Sequence, residues 1–287
     1  MGYSIFDETM VDMAWPDIEK AAQGHAVVLM PTGVIEEHGP HMDLAVDTYC
    51  SYLTCKQTRR ELEKRGIKTL IAPPYYWGLN NATGSFPGSF TVRKSTMKAM
   101  LIDILTSLMR WGFSRVFNIN WHGEHEHNMT ILEAVKEARF ETGLRAYCVL
   151  SAYDAVRLNL SGREPHVLVQ NAPRFEKPPT EYLEIHADSL ETGIMAKFFP
   201  RQIDIEMART LKSTDLTLED LMIWRKGWSD SREVTPLGYF GNPAEFDIDA
   251  ADKYIGILSI ENAEVIQSLI EGRYVPPELN RGGRGEK

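Results

Sequence analysis

Apolar and polar positions along the chain fall into two alternating patterns. Short apolar runs rich in β-branched residues recur, and most are followed by stretches with helical spacing. His25–Pro31 (HAVVLMP) predicts a buried strand that ends in a glycine-bearing loop. The segment from Thr48 to Arg65 has helical spacing and stops at Gly66, as a helix does when glycine supplies its C-terminal turn. Ile67–Ala72 predicts a second strand, Ser95–Arg110 an amphipathic helix, Ser114–Asn120 a third strand, Asn128–Glu141 a helix and Arg145–Ala152 a fourth strand. A long loop follows over Asn159–Thr180, marked by Pro165, Pro173, Pro178 and Pro179. Helical patterns then cover Leu183–Phe199 and Ile248–Glu271.

Strands alternating with helices imply right-handed βαβ units. The expected fold class is therefore α/β, a mostly parallel sheet flanked by helices on both faces. A single domain is expected over residues 1–275, with a frayed Gly-, Arg- and Pro-rich tail over 276–287.

Composition changes this picture only by exclusion. A net charge of −9 argues against nucleic acid as a partner, because phosphate binding needs a basic face. No stretch approaches the roughly 18–20 apolar residues of a membrane span. Met1–Glu8 lacks the basic and apolar blocks of a secretory leader. The three cysteines, Cys50, Cys55 and Cys148, are odd in number and lack zinc-ribbon spacing. They read as reduced thiols, which points to the cytoplasm. No phosphate-binding glycine loop and no G-x-S-x-G elbow occurs.

The candidate chemistry lies in the loops. Open α/β sheets bind ligands beyond the carboxyl ends of their strands. The loop after the first predicted strand carries Glu36, Glu37, His38 and His41, then Asp43 and Asp47. The loop after the third carries His122, Glu124, His125, Glu126 and His127. A third cluster holds Glu184, His186, Asp188 and Glu191. Six of the eight histidines fall in these windows; only His25 and His166 do not. Histidine with carboxylate is the donor set for Zn²⁺ or Mn²⁺ where thiolates are absent. In an extended loop, Glu36 and His38 share a side because alternate residues do, and His122 with Glu124 repeats the spacing.

Pro31-Thr32-Gly33-Val34-Ile35-Glu36-Glu37-His38-Gly39-Pro40-His41, followed by Asp47, resembles the PxGSxEQHGPHLPxxxD stretch of the creatininase family. Further resemblances follow in order. They are Phe86-Pro87-Gly88-Ser89, Asn120 to Glu124, His186-Ala187 with Glu191-Thr192, and Gly241-Asn242-Pro243. The resemblance implies two divalent ions, Zn²⁺ and/or Mn²⁺. It places Glu36, Asp47 and His122 on one and His38, Asp47 and Glu124 on the other, with Asp47 bridging. It further implies that His186 moves protons and that Glu191 either orients His186 or ligates a metal. A small cyclic amide as substrate and a homo-oligomer, commonly a hexamer, complete the expectation.

Departures from the family pattern bear on the substrate. Trp121 either walls the cavity or is buried, and Asn80 and Asn81 either bind substrate or form a turn. His125, Glu126 and His127 are candidates for the metal shell, His125 also for substrate contact, and Glu126 competes with Glu124 as ligand. Asp43 is read as a partner to a ligand, His41 as a loop-fixing hydrogen bonder, and Trp224 and Trp228 as lining a subunit contact. Three functions follow: hydrolysis of a C–N bond, hydrolysis of a C–C bond in a cyclic polyol ketone, or a scaffold without chemistry. Retention of Glu36, Asp47 and His122 weighs against the last.

Overall fold

The computed structural model describes residues 4–170 and 182–279. In chain order the elements are α1 (Trp15–Gln23), β1 (Val27–Thr32), α2 (Val46–Lys64), β2 (Thr69–Ile71), α3 (Lys94–Arg110), β3 (Arg115–Asn120), α4 (His125–Thr142) and β4 (Arg145–Leu150). There follow α5 (Ala152–Arg157), β5 (Val167–Val169), α6 (Ser189–Phe198), α7 (Ile205–Thr210), α8 (Leu218–Trp224), α9 (Trp228–Val234) and α10 (Ile248–Ile270).

The five strands form one parallel sheet in the order β2-β1-β3-β4-β5. Alternation along the strands divides the core between its two faces. Val28, Met30, Val116 and Cys148 pack with Leu101 and Leu105 of α3 and Ile131 and Val135 of α4. Val27, Leu29, Phe117 and Val149 pack on the other face with Cys55 and Leu62 of α2 and Ala263 and Ile266 of α10. Central strands buried on both faces read as unbroken apolar runs, as β1 does. Truncating fully buried Phe117 to alanine would cost about 3–5 kcal/mol. The cysteines are all buried free thiols, and burial raises each above its ordinary range. Among the described residues, no helix is long and apolar enough to cross a membrane.

The chain leaves β1 toward β2 on one side, then returns to place β3 on the other side of β1. The carboxyl ends of β1 and β3 therefore flank the switch point, where open α/β sheets bind their ligands. A third cluster, including Val46, Cys50, Ile194, Met195 and Ile255, ties α2, α6 and α10 together beside this crevice.

The short helices α1, α5, α7, α8 and α9 are additions to the sequence reading, and three further elements depart from it. β5 lies inside the expected loop, because three residues between polar and proline-rich flanks give no measurable period. Pro173, Pro178 and Pro179 of that loop lie outside the described residues. The helix expected from Leu183 begins only at Ser189: Asp188 caps it, accepting from the Leu190 and Glu191 N–H groups. α4 starts at His125 rather than Asn128, so the polar run His125-Glu126-His127 forms a helical turn instead of a loop. Residues 280–287 of the expected tail are outside the described residues, while Leu279 packs against the first core cluster.

Candidate metal centre

Three polypeptide segments deliver side chains to the crevice. The loop after β1 brings Glu36 and His38, and the first turn of α2 brings Asp47. Gly33 makes that approach possible, since a Cβ there would lie 2.7 Å from the Asp47 carbonyl carbon. His122 follows β3. Glu191 sits in the first turn of α6, where the Ala187 N–H donates to its Oε2 at 2.7 Å. Glu36, Asp47 and His122 can place one donor atom each within 4.8 Å of one another, and so can His38, Asp47 and Glu191. Asp47 belongs to both sets. Its Oδ2 lies 2.9 Å from His122 Nδ1 and its Oδ1 lies 3.6 Å from His38 Nε2. Glu36 Oε1 is 3.0 Å from His122 Nδ1, and Glu191 Oε2 is 3.9 Å from His38 Nε2. Donors bound at about 2.1 Å to one ion lie roughly 3.0–3.5 Å apart for right-angled to tetrahedral arrangements, so these spacings are close to what a metal imposes.

The ring orientations fit a cation too. His122 Nε2 lies 3.0 Å from the Leu79 carbonyl, which can only accept, so that nitrogen carries a hydrogen. Its Nδ1 then faces two carboxylates. His38 repeats the arrangement: Nδ1 donates to the Glu36 carbonyl at 3.1 Å, and Nε2 is buried without a hydrogen-bond partner. Positive charge is required between these groups, as a proton or as a metal ion. Burial works to lower the His122 imidazole, but Glu36 and Asp47 raise it well above its ordinary range. Burial works to raise the Asp47 carboxyl, and His122 with His38 holds it well below. Glu36 is lowered likewise by His122 against burial, and the Thr83 hydroxyl donates to its Oε2 at 2.5 Å.

His186 closes the far side. It reaches the crevice through a single antiparallel bridge to Phe240 before α6 begins. Its Nε2 donates to the Glu37 carbonyl at 2.9 Å and lies 3.4 Å from Glu37 Oε1. Burial opposes its protonation, but Glu37 and Glu36 together raise the imidazole to about 10. Its ring lies 4.5 Å from that of His38 and 5.8 Å from that of Trp224. A cavity of about 400 Å³ opens onto Glu36, Asp47, His122, His186 and Glu191.

The sequence profile of creatininase (creatinine amidohydrolase) matches residues 11–266, most of the chain and every residue of this centre. The chain belongs to the creatininase family. It is 28% identical over 208 residues to the creatinine amidohydrolase of Pseudomonas putida, covering 68% of this chain and 73% of that protein. It is 23% identical over 186 residues to the 3-dehydro-scyllo-inosose hydrolase of Thermotoga maritima, covering 63% and 53%. A stretch of 98 residues is 28% identical to the mycofactocin precursor peptide peptidase of Mycolicibacterium smegmatis, covering 34% and 39%. The crystal structure of creatinine amidohydrolase superposes with a TM-score of 0.66 at 19% identity, covering 94% of this chain and 99% of that one. A manganese creatininase superposes equally, with a TM-score of 0.66.

Within this creatininase fold the expected site residues separate. Glu36, His38, Asp47, His122, His186 and Glu191 converge. Glu124 does not join the second donor set: it caps the start of α4, and its carboxylate accepts from Asn81 N and Nδ2 at 2.5 and 2.7 Å. Glu191 is the carboxylate grouped with His38 and Asp47. Glu124 and Asn81 still line the cavity, as does exposed His125. Asn80 is turned away from it, and its Nδ2 donates to the Ile35 and Phe90 carbonyls. Trp121 packs edge-on against Tyr254 and lines a neighbouring cavity instead. Glu126 is exposed and lies 3.6 Å from Lys94 Nζ. Trp224, read as a subunit contact, lines the metal cavity beside His186. His41 Nε2 lies 2.9 Å from the Thr192 hydroxyl and fixes its loop to α6. Asp43 is exposed, and its N–H donates to the Gln202 carbonyl.

The sequence reading offered His127 to the metal shell, but it is in none of the donor groups and supports His122 from behind. Its Nδ1 accepts from Leu79 N–H at 3.3 Å, and its Nε2 donates to Asn120 Oδ1 at 3.2 Å. It holds the Leu79 peptide whose carbonyl orients His122. Gly78 permits this, since a Cβ there would lie 2.4 Å from the ring. Burial, and then His122, keep His127 neutral by lowering it well below the ordinary range. A His five residues after a ligand, at a helix start, was the available signal.

Proposed function

We propose that this chain is a metal-dependent hydrolase with a binuclear centre, acting on the C–N bond of a small amide. The observation that carries the reading is Asp47, buried and shared between two donor sets, each completed by one histidine and one glutamate. Divalent ions held there supply Lewis acidity and lower the pKa of coordinated water. Glu36, Asp47 and His122 hold one ion, and His38, Asp47 and Glu191 the other.

The remaining residues move protons and shape the cavity. With Nε2–H given to the Glu37 carbonyl, Nδ1 is the nitrogen at which His186 can take up and release a proton. Burial opposes its protonation while Glu37, Glu36 and Glu191 favour it. If Glu36 and Glu191 held metal ions, less of their charge would act on His186, which would bring it toward the working range of a general acid and base. The rings of Trp224 and His38 both pack on that of His186, at 5.8 and 4.5 Å, and limit its movement. In the net reaction the oxygen of water bonds to the acyl carbon, the C–N bond breaks, and a proton passes to the departing nitrogen. The polyol-ketone reading draws on a pocket rich in asparagine, histidine and glutamate; Asn80 is buried against backbone carbonyls and Asn81 is bonded to Glu124, which weakens the asparagine part of that support.

The test is elemental analysis of protein purified without chelators, followed by hydrolysis assays on cyclic and linear amides. About two equivalents of zinc or manganese and metal-dependent release of amine are expected. A chain that takes up no metal would overturn the reading.

A further inference from the structure

The metal cavity does not stand alone. A second cavity of about 370 Å³ adjoins it, and the two share Gly123, Arg157, Ile185, Glu191 and Arg225 along their boundary. Together they are large for a single five- or six-membered ring and fall within the range that takes an extended ligand. The wall of the second cavity is mixed: Trp121, Tyr254, Leu190 and Leu258 form an apolar side, and Asp154, Glu184, Asp188 and Glu261 also line it.

Among the described residues, Arg157 and Arg225 are the only lysine or arginine side chains lining either cavity, and both stand at the boundary. Arg157 is oriented: its Nη1 donates to the Gly123 carbonyl at 2.7 Å and its Nη2 lies 3.3 Å from Asp154 Oδ1. Guanidinium has five donors, so others remain. Arg225 caps the C-terminal end of α8, is exposed, and has no ion pair among the described residues. Most nearby acids have other partners. Asp188 accepts from the start of α6, Glu184 accepts from Ser189 N–H, and Asp154 accepts from Ser151. Glu261, on the wall of the second cavity, is raised by burial and so kept less acidic.

We propose that the substrate is an extended amide whose far end carries an anionic oxyacid group, held at the boundary by Arg225 and Arg157, with its apolar body against Trp121 and Tyr254. The inference rests on the amide-hydrolase reading. A planar fork of donors suits a carboxylate or a phosphate, and only a charged end group makes use of both side chains.

The probes are N-acetylphenylalanine, its carboxamide and its phosphonate analogue, with the metal-loaded protein. Binding is read by quenching of tryptophan fluorescence, and hydrolysis by released amine. Anionic probes should bind roughly tenfold tighter than the carboxamide, as charge-assisted bonds to arginine predict. That ratio should collapse toward one in Arg225→Met and Arg157→Met, and Arg225→Glu should invert it. The better of carboxylate and phosphonate identifies the end group. Equal binding of all three, binding of none, or a ratio indifferent to both arginines would overturn the proposal. Arginine-dependent binding with no hydrolysis of any amide, cyclic or linear, would uphold the anion-holding role of the arginines and overturn the hydrolase reading, and with it the amide as substrate.

Discussion

The loops after β1 and β3 carry the same residue pair in opposite order, yet they do different things. Glu36-x-His38 lies in extended backbone, and both side chains reach the centre. His122-x-Glu124 runs into a helix. His122 reaches the centre, but Glu124 sits at the N-cap of α4 and is taken by Asn81 and the Ala82 N–H. The carboxylate that lies within reach of His38 and Asp47 is Glu191, carried by α6 from far along the chain. Spacing of two residues places side chains together only while the backbone stays extended. Once a helix begins, the next donor must come from elsewhere.

Four experiments press on this contrast, beginning with the largest effect. Asp47→Ala should remove both metals, since both donor sets use it, with circular dichroism still showing an α/β fold; full metal content would defeat the shared-ligand assignment. Next, His186→Asn should keep both metals but lower turnover by about 10²–10⁴, the usual contribution of a positioned acid or base. An unchanged rate would remove it from proton transfer. The comparison itself is tested by a pair. Glu191→Gln should lose about one equivalent of metal, whereas Glu124→Gln should retain two; the reverse result would restore Glu124 as ligand. His127→Ala, which frees the Leu79 peptide, should weaken metal binding by about 10- to 100-fold, as loss of a ligand's supporting hydrogen bonds typically does.

Two pH effects are smaller and have opposite origins. Carboxylates keep His122 and His38 protonated above their ordinary range, against the effect of burial. A metal must displace those protons, so its apparent affinity should rise with pH, measurable by chelator competition between pH 6 and pH 8. His41 is shifted the other way. Burial, with His38 and His186, lowers it to about 4, while the unfolded chain titrates near 6.5. Its contribution to stability is present above about pH 6.5 and is lost as pH falls toward 4. In metal-free protein, His41→Asn should therefore flatten the fall in Tm over that window; an unaltered slope would show that His41 is not the titrating group.

Much of the fold was written in local pattern. Runs such as HAVVLMP and SRVFNIN fit strands buried on both faces of a helix-covered parallel sheet. Their alternation with helical stretches predicts βαβ units, while the sheet order came from the tertiary structure. Motif order was enough to identify Glu36, His38, Asp47, His122, His186 and Glu191 as candidates, because metal ligands demand particular side chains. What the sequence could not decide was which carboxylate meets which histidine. That depended on where α4 begins, on Asn81 reaching across to Glu124, and on Asp188 starting α6 so that Glu191 faces His38. The neighbours of Trp121, Trp224, Arg157 and Arg225 likewise come from segments distant in sequence. Composition and spacing report what a residue can do; only long-range packing sets which partner is within about 3 Å, and hydrogen bonding and metal ligation act only over that distance.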